Sequence, residues 1–333
     1  MQLQRGYQTP YILCDNLNHE ENPMPFVKEK YHVASPTPAF LFVMAHFGYT
    51  QGQAQRLIGK GRLLINGISL ANSGEVISGD IEMVYFSPKS RDRTALFQTP
   101  DFMVFEKPSG ILVHPNTMAT EYSMLDEIRT IAGDHANAVH RIDMETSGLL
   151  LASKHKNAER FLKNSFEIKT IRKSYLAWVD GKLTEPFAVD APLRKRNDYS
   201  QCKHKVAVDS KGKSAHTDFV PLKYNAELDA TLVACYPITG RTHQIRVHLF
   251  HMKHPILGDP IYGTSFAASD AYLEGNLSIE DRLLETGAHR LMLHAYTLNF
   301  SYGADYFIES KIDFAKETEK ICSKEKRRFN RPS

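Results

Sequence analysis

Between Phe102 and Phe300, short apolar runs of strand length far outnumber helical ones, and this imbalance constrains the fold more than any other feature. Phe102–Glu106, Ile111–His114, Ala138–Ile142, Gly148–Ser153, Arg172–Val179, His216–Tyr224, Ala230–Pro237 and Leu291–Phe300 read as strands. Ser123–Ile131, Asn157–Glu167 and His243–Met252 read as helices, the second with Asn157 as its N-cap. A doubly wound parallel sheet needs strand and helix in regular succession, and that order is missing. The expectation is an α+β domain built on a mixed sheet.

A smaller unit precedes it over residues 36–88. Ala39–Phe47 and Gln51–Gly59 read as helices. Arg62–Ile65, Ile68–Leu70, Glu75–Ile77 and Ile81–Phe86 read as strands, with Asn66-Gly67 as a hairpin turn and Gly79-Asp80 as a second break. Residues 1–35 are polar, contain Pro and lack periodicity, which predicts an N-terminal arm. Residues 89–99 follow as a charged linker, residues 100–315 as the large domain, and residues 316–333 as a flexible basic tail carrying Lys324, Lys326, Arg327, Arg328 and Arg331.

Composition narrows the class without deciding it. Hydrophobic residues make up 42% and charged residues 24%, ordinary values for a globular core. A net charge of +3 permits a nucleic-acid partner and does not demand one. Cys14, Cys202, Cys235 and Cys322 are scattered, which points to a reducing compartment rather than a disulfide framework. No early segment reads as a signal peptide and no apolar run is long enough to span a bilayer, so a cytoplasmic chain without a membrane partner is expected.

The residues that carry chemistry gather around His140-Arg141-Ile142-Asp143. An apolar strand ends there and runs into the small-residue turn Met144–Gly148. A carboxylate at such a point is a turn former or a group facing a cleft, and the residue alone does not choose. Gly240–His248, GRTHQIRVH, opens a helix with Arg241, His243, Gln244 and Arg246, a set suited to a phosphate or a carboxylate. Tyr175 lies in the apolar strand KSYLAWV, either as a core aromatic or as a face lining a site. His243, His248, His251 and His254 crowd one region, but on a helix the i, i+3 and i+6 positions diverge, and no metal site is expected.

Taken in order, EKPSGILVH, HRIDMETSGLLL, KSYLAWV, GRTHQIRVHL, HPILGDPIYG and Leu293-His294-Ala295 resemble the motifs of the RluA/RluD-type pseudouridine synthases, over roughly residues 100–300. The resemblance implies a mainly antiparallel sheet with flanking helices and a central cleft. It implies Asp143 as the catalytic aspartate, Tyr175 as the aromatic that packs on the target base, and Arg246 as the basic residue that pairs with the aspartate. Arg141, Arg241, His243 and Lys107 fall in the same motifs, and these are taken as RNA-binding. Ile142 stands where the family usually has Leu, a swap that conserves volume. Residues 51–86 resemble a small RNA-binding domain shared with a ribosomal small-subunit protein, with Arg56, Lys60 and Arg62 facing phosphate. Its first helix has an apolar start, Pro36–Phe42, in place of the usual polar one.

The implied reaction breaks the N1–C1′ bond of uridine and rejoins the base through C5. It exchanges no electrons, and the sequence holds no GxGxxG, Walker A or GxSxG pattern, so no cofactor is expected. Asp143 would act ionised, either attacking C1′ or taking a 2′ proton. The target base must be flipped out of folded RNA, and Arg141 is placed to fill the gap. Arg194, Lys195 and Arg196, with Lys203, Lys205, Lys211 and Lys213, form a basic stretch that either closes on RNA or is a solvated hairpin. RNA is the expected partner, ribosomal first and transfer RNA second. A monomer without an obligate protein partner is expected. A non-catalytic RNA-binding protein of the same fold is the alternative.

Overall fold

The computed structural model describes residues 25–196 and 205–328. Cys14, Cys202, Lys203 and Arg331 lie outside the described residues, as does most of the expected arm.

The small domain runs β1 (Phe26–Pro38), α1 (Ala39–Phe47), α2 (Gln51–Gly59), β2 (Leu63–Ile65), β3 (Ile68–Ser69) and β4 (Val76–Phe86). Its sheet has the order β1-β4-β2-β3, all antiparallel. Ala39, Phe42 and Val43 of α1 and Ala54 and Ile58 of α2 close over Leu63, Ile77, Ile81 and Met83. Asn66 and Gly67 both take positive φ, +50° and +76°, as the Asn-Gly hairpin requires.

Two sequence expectations change here. From Phe26 the predicted arm is strand β1, paired along β4 with one irregularity between Val33 and Thr37. An edge strand of this kind is held by backbone pairing, so its polar residues show no apolar period. The predicted break at Gly79-Asp80 lies inside β4, because both residues stay paired, to Val33 and His32.

The large domain begins with β5 (Phe97–Gln98), β6 (Phe102–Lys107), α3 (Met124–Ala132), β7 (Asn137–Ala138), β8 (Ser147–Ser153), α4 (Lys156–Glu167) and β9 (Arg172–Asp180). It continues with β10 (Phe187–Asp190), β11 (Leu193–Lys195), β12 (Val206–Val208), β13 (His216–Asn225) and β14 (Ala230–Pro237). It closes with α5 (Gln244–His251), α6 (Phe266–Leu273), α7 (Ile279–Thr286), β15 (Leu293–Tyr302) and β16 (Ala304–Glu309). The main path of the sheet is β10-β13-β14-β9-β15-β8-β6-β5, antiparallel except where β15 runs parallel to β8.

β8 sits deep in this sheet, and every one of its seven residues is buried. The period of two sends its side chains to two different cores. Leu150 and Ala152 join Met103 and Phe105 of β6, with Met124 and Ile128 of α3 and Ile245 and Leu249 of α5. Leu149 and Leu151 join Phe102 and Val104, with Leu162 of α4 and Ile308 of β16. The turn that precedes β8 is therefore fixed to the most rigid part of the domain.

Four further expectations are corrected. Residues 139–142 do not extend β7, because the His140 imidazole accepts the Leu151 N–H at 3.0 Å and takes the place of a backbone partner. Ile111–His114 forms only one bridge, between Leu112 and Ser123. Residues 316–328 are no loose tail: Phe314, Ile321 and Cys322 are buried, and Arg327 pairs with Asp180 at 2.7 Å. At α4 the cap is His155, which accepts from Ala158 N, two residues ahead of the predicted Asn157.

Candidate active site

Asp143 occupies the first position of the turn into β8, closed by a hydrogen bond from Thr146 N to Asp143 O at 3.1 Å. Its side chain is 27% exposed, so it is open to solvent and not sealed in the core. α5 begins beside it. There Arg246, almost wholly buried, donates from Nη1 to Asp143 Oδ2 at 3.1 Å.

What aims Arg246 is a second carboxylate. Asp259 accepts from Arg246 Nε at 2.7 Å and from Nη2 at 2.8 Å, a two-pronged pairing that fixes the guanidinium plane. Asp259 is itself set by N–H groups of Ile261 and Tyr262, at 2.9 and 3.0 Å. Gly258, just before it, has φ +77°, and a Cβ there would lie 1.7 Å from the carbonyl oxygen of Arg290. Only glycine lets the chain pass at this point. The Tyr262 ring lies under the Arg246 guanidinium, 5.1 Å from its centre.

His243 stands beside the pair. Its Nε2 is 3.9 Å from Asp143 Oδ2, and its Nδ1 shares a hydrogen bond with the Tyr262 hydroxyl at 2.9 Å. Burial lowers the His243 pKa to about 4, and Arg246 adds to this, so the ring is neutral near pH 7. For Asp143, burial opposes ionisation, yet nearby His243 and Arg246, with the Arg246 hydrogen bond, outweigh it and hold the carboxyl below its usual range. Of the two, the guanidinium carries the permanent charge, whereas His243 contributes its charge only when protonated.

Tyr175 of β9 is buried between Cys235 of β14 and Ala295 of β15 in the strand register. Burial raises its phenol pKa and the Asp143 carboxylate raises it further, so it stands neutral and near the aspartate. A buried neutral phenol ring beside an ionised carboxylate offers an aromatic face and one hydroxyl to whatever enters.

Lys107 contradicts its assignment to RNA. It is fully buried, and its Nζ donates to the carbonyls of Pro108, Ile111 and Met144 at 2.8, 2.8 and 2.9 Å. Burial brings its pKa down to about 7, while those three carbonyls engage all three ammonium hydrogens. Ser109 Oγ to Glu145 O and Gly110 N to Met144 O complete the lacing. Lys107 thus ties the 108–111 turn to the turn that carries Asp143.

A further group went unread in the sequence. Glu145, buried, pairs with Arg282 of α7 at 2.7 Å and accepts from the Tyr272 hydroxyl of α6 at 2.8 Å. Nothing local signals these partners, which lie 137 and 127 residues away. Asp259 and Tyr262 did have a signal, since both belong to HPILGDPIYG, but their tie to Arg246 needed three dimensions.

The remaining predicted residues lie further out. Arg141 is exposed two positions before Asp143. Arg241 is exposed, with Nε donating to Ser214 O at 3.0 Å. Arg194, Lys195 and Arg196 are exposed on the β11–β12 ribbon, with Arg194 at 3.5 Å from Asp209. Arg56 and Lys60 are exposed on and after α2, and Arg62 is half-buried.

Comparison with known proteins agrees with this geometry. A family model described as RNA pseudouridylate synthase matches residues 101–251. A Helicobacter pylori protein named "Uncharacterized RNA pseudouridine synthase" is 36% identical over 289 residues, covering 86% of this chain and 94% of that one. The Yersinia pestis "Ribosomal large subunit pseudouridine synthase C" is 33% identical over 290 residues, covering 80% and 85%. Among solved structures, human RNA pseudouridylate synthase domain containing 1 superposes with a TM-score of 0.53 at 22% identity, over 68% of this chain and 86% of that one, a likeness of fold.

Proposed function

The chain belongs to the RluA/RluD type of RNA pseudouridine synthases, isomerases acting on RNA uridines, and we propose that it modifies specific uridines of large-subunit ribosomal RNA with Asp143 as the catalytic carboxylate. The observation that carries the catalytic part is the chain Asp143–Arg246–Asp259, a partly exposed carboxylate kept ionised by a buried guanidinium that is itself aimed by a second carboxylate. Attack on C1′ and removal of a 2′ proton both start from an ionised carboxylate, so the arrangement serves either route. Tyr175 supplies the apolar face on which the detached uracil turns, and its hydroxyl is a candidate to take part in loss of the C5 proton. Arg141, exposed beside the aspartate, fills the space of the flipped base.

The ribosomal substrate is supported by the name of the Yersinia pestis relative. The small domain ahead of the catalytic one, with Arg56, Lys60 and Arg62 on and after its second helix, suits a large structured RNA. The test is a map of pseudouridine in ribosomal and transfer RNA from cells with and without the gene. Loss of sites from large-subunit ribosomal RNA is expected. Loss confined to transfer RNA would overturn this substrate.

A further inference from the structure

We propose that Arg62 and Arg129 form a phosphate-binding site at the seam between the two domains, which grips one backbone phosphate of the RNA substrate. The proposal rests on the reading of ribosomal RNA as substrate and adds to it a site in which both domains take part.

The seam is built as a stack. Arg62, just after α2, lays its guanidinium 4.9 Å from the centre of the Phe26 ring. Phe26 of β1 meets Phe86 of β4 edge to face, at 5.4 Å and 69°. Arg129, in the last turn of α3, lies 5.2 Å from the centre of the Phe86 ring. One guanidinium comes from the small domain and one from the catalytic domain. The rings hold each plane in place, but a ring face neither neutralises the charge nor satisfies the N–H fork.

Elsewhere this protein pairs its buried arginines with carboxylates. Arg246, Arg282, Arg290 and Arg327 each have one within 2.7 Å. Arg62 and Arg129 form no ion pair within 4.0 Å among the described residues. Arg129 Nε is buried without a hydrogen-bond partner. Burial lowers the pKa of Arg62 and the neighbouring Arg129 lowers it further. For Arg129, burial is again the lowering cause, opposed by Asp134 and Tyr49. Two like charges at one seam, half-buried and with no carboxylate within ion-pair distance among the described residues, are poor glue between domains. They are a good seat for an anion.

A phosphate held by one guanidinium from each domain would fix the small domain against the catalytic one.

The test uses the full chain and an in vitro transcript of large-subunit ribosomal RNA, with binding measured over a range of salt. Glutamine variants keep most of the bulk over the phenylalanines. Arg62→Gln and Arg129→Gln are each expected to weaken binding roughly tenfold and to lower the slope of log K against log salt by about 0.7–1, the loss of one phosphate contact. Because both arginines grip the same phosphate, the double variant is expected to lose no further slope. Without RNA, both variants should melt no lower than the native protein, since a repulsion has been relieved. Slopes equal to the native slope, or a double variant with twice the loss, would overturn the site. Tritium release by the native protein on the same transcript reports separately on the substrate: no release would refute that reading whatever the slopes show.

Discussion

Replacing Asp259 by Asn isolates the device that aims Arg246. The substitution keeps the shape. Its oxygen can still accept from Arg246 Nη2 and from the N–H groups of Ile261 and Tyr262, as Oδ1 does now. The amide nitrogen then faces Arg246 Nε, now bonded to Oδ2 at 2.7 Å, so two donors oppose each other. A charge-assisted hydrogen bond contributes about 1.5–3 kcal/mol, and breaking a buried ion pair costs about 3–5 kcal/mol. Asp143 still offers partial compensation to Arg246, which puts the expected loss near the lower end, about 3 kcal/mol. For a chain of this size that is a fall in Tm of roughly 4 °C, within a total stability of about 5–15 kcal/mol, so the variant folds. A guanidinium displaced by about 1 Å should cost on the order of 100-fold in the chemical step. The assay is single-turnover tritium release from RNA labelled at uridine C5, beside a thermal melt and an RNA-binding curve. Binding should stay within about twofold, because Asp259 is buried and touches no solvent-facing surface. A variant that melts and reacts like the native protein would refute the idea that Arg246 needs its second carboxylate.

Two other outcomes follow from the same geometry. The native rate should not fall through Asp143 protonation as pH drops from neutral into the mildly acidic range, because this carboxyl is held below its usual value and its ionised form is the active one. In Arg246→Gln the burial that now loses becomes dominant, so the pKa rises and the rate should fall as pH drops, whereas Arg246→Lys should be slower but flat; matching pH profiles for all three would contradict the account. Lys107→Met leaves the carbonyls of Pro108, Ile111 and Met144 without their shared donor and should cost about 3–5 kcal/mol, read as a lower Tm, while a melt within about 2 °C of native would contradict a buried tie.

Much of the site was legible because its members sit in separate, ordered motifs. Asp143, Tyr175 and Arg246 come from three segments; the fold pairs Arg246 with Asp143 and leaves Tyr175 within electrostatic reach of the aspartate. Their neighbours were harder. Lys107 read as a phosphate contact because a sequence shows the charge and not the depth of burial. Glu145 lies two residues from Asp143, but its role depends on Arg282 and Tyr272, far along the chain. The small domain was visible through its helices and the Asn66-Gly67 turn, while β1 was not, since an edge strand paired on one side carries no apolar period. Residues 316–328 looked loose because their basic side chains conceal three anchors, Ile321, Cys322 and the Arg327–Asp180 pair.

The central claim is that an ionised Asp143 carries out the isomerisation. It is tested most directly by tritium release from C5-labelled ribosomal RNA, comparing the native protein with Asp143→Asn. The native protein should release tritium, and the variant should release none while still binding the RNA, because the amide fills the same volume without a charge for Arg246 to hold. Equal release from both proteins would contradict the account.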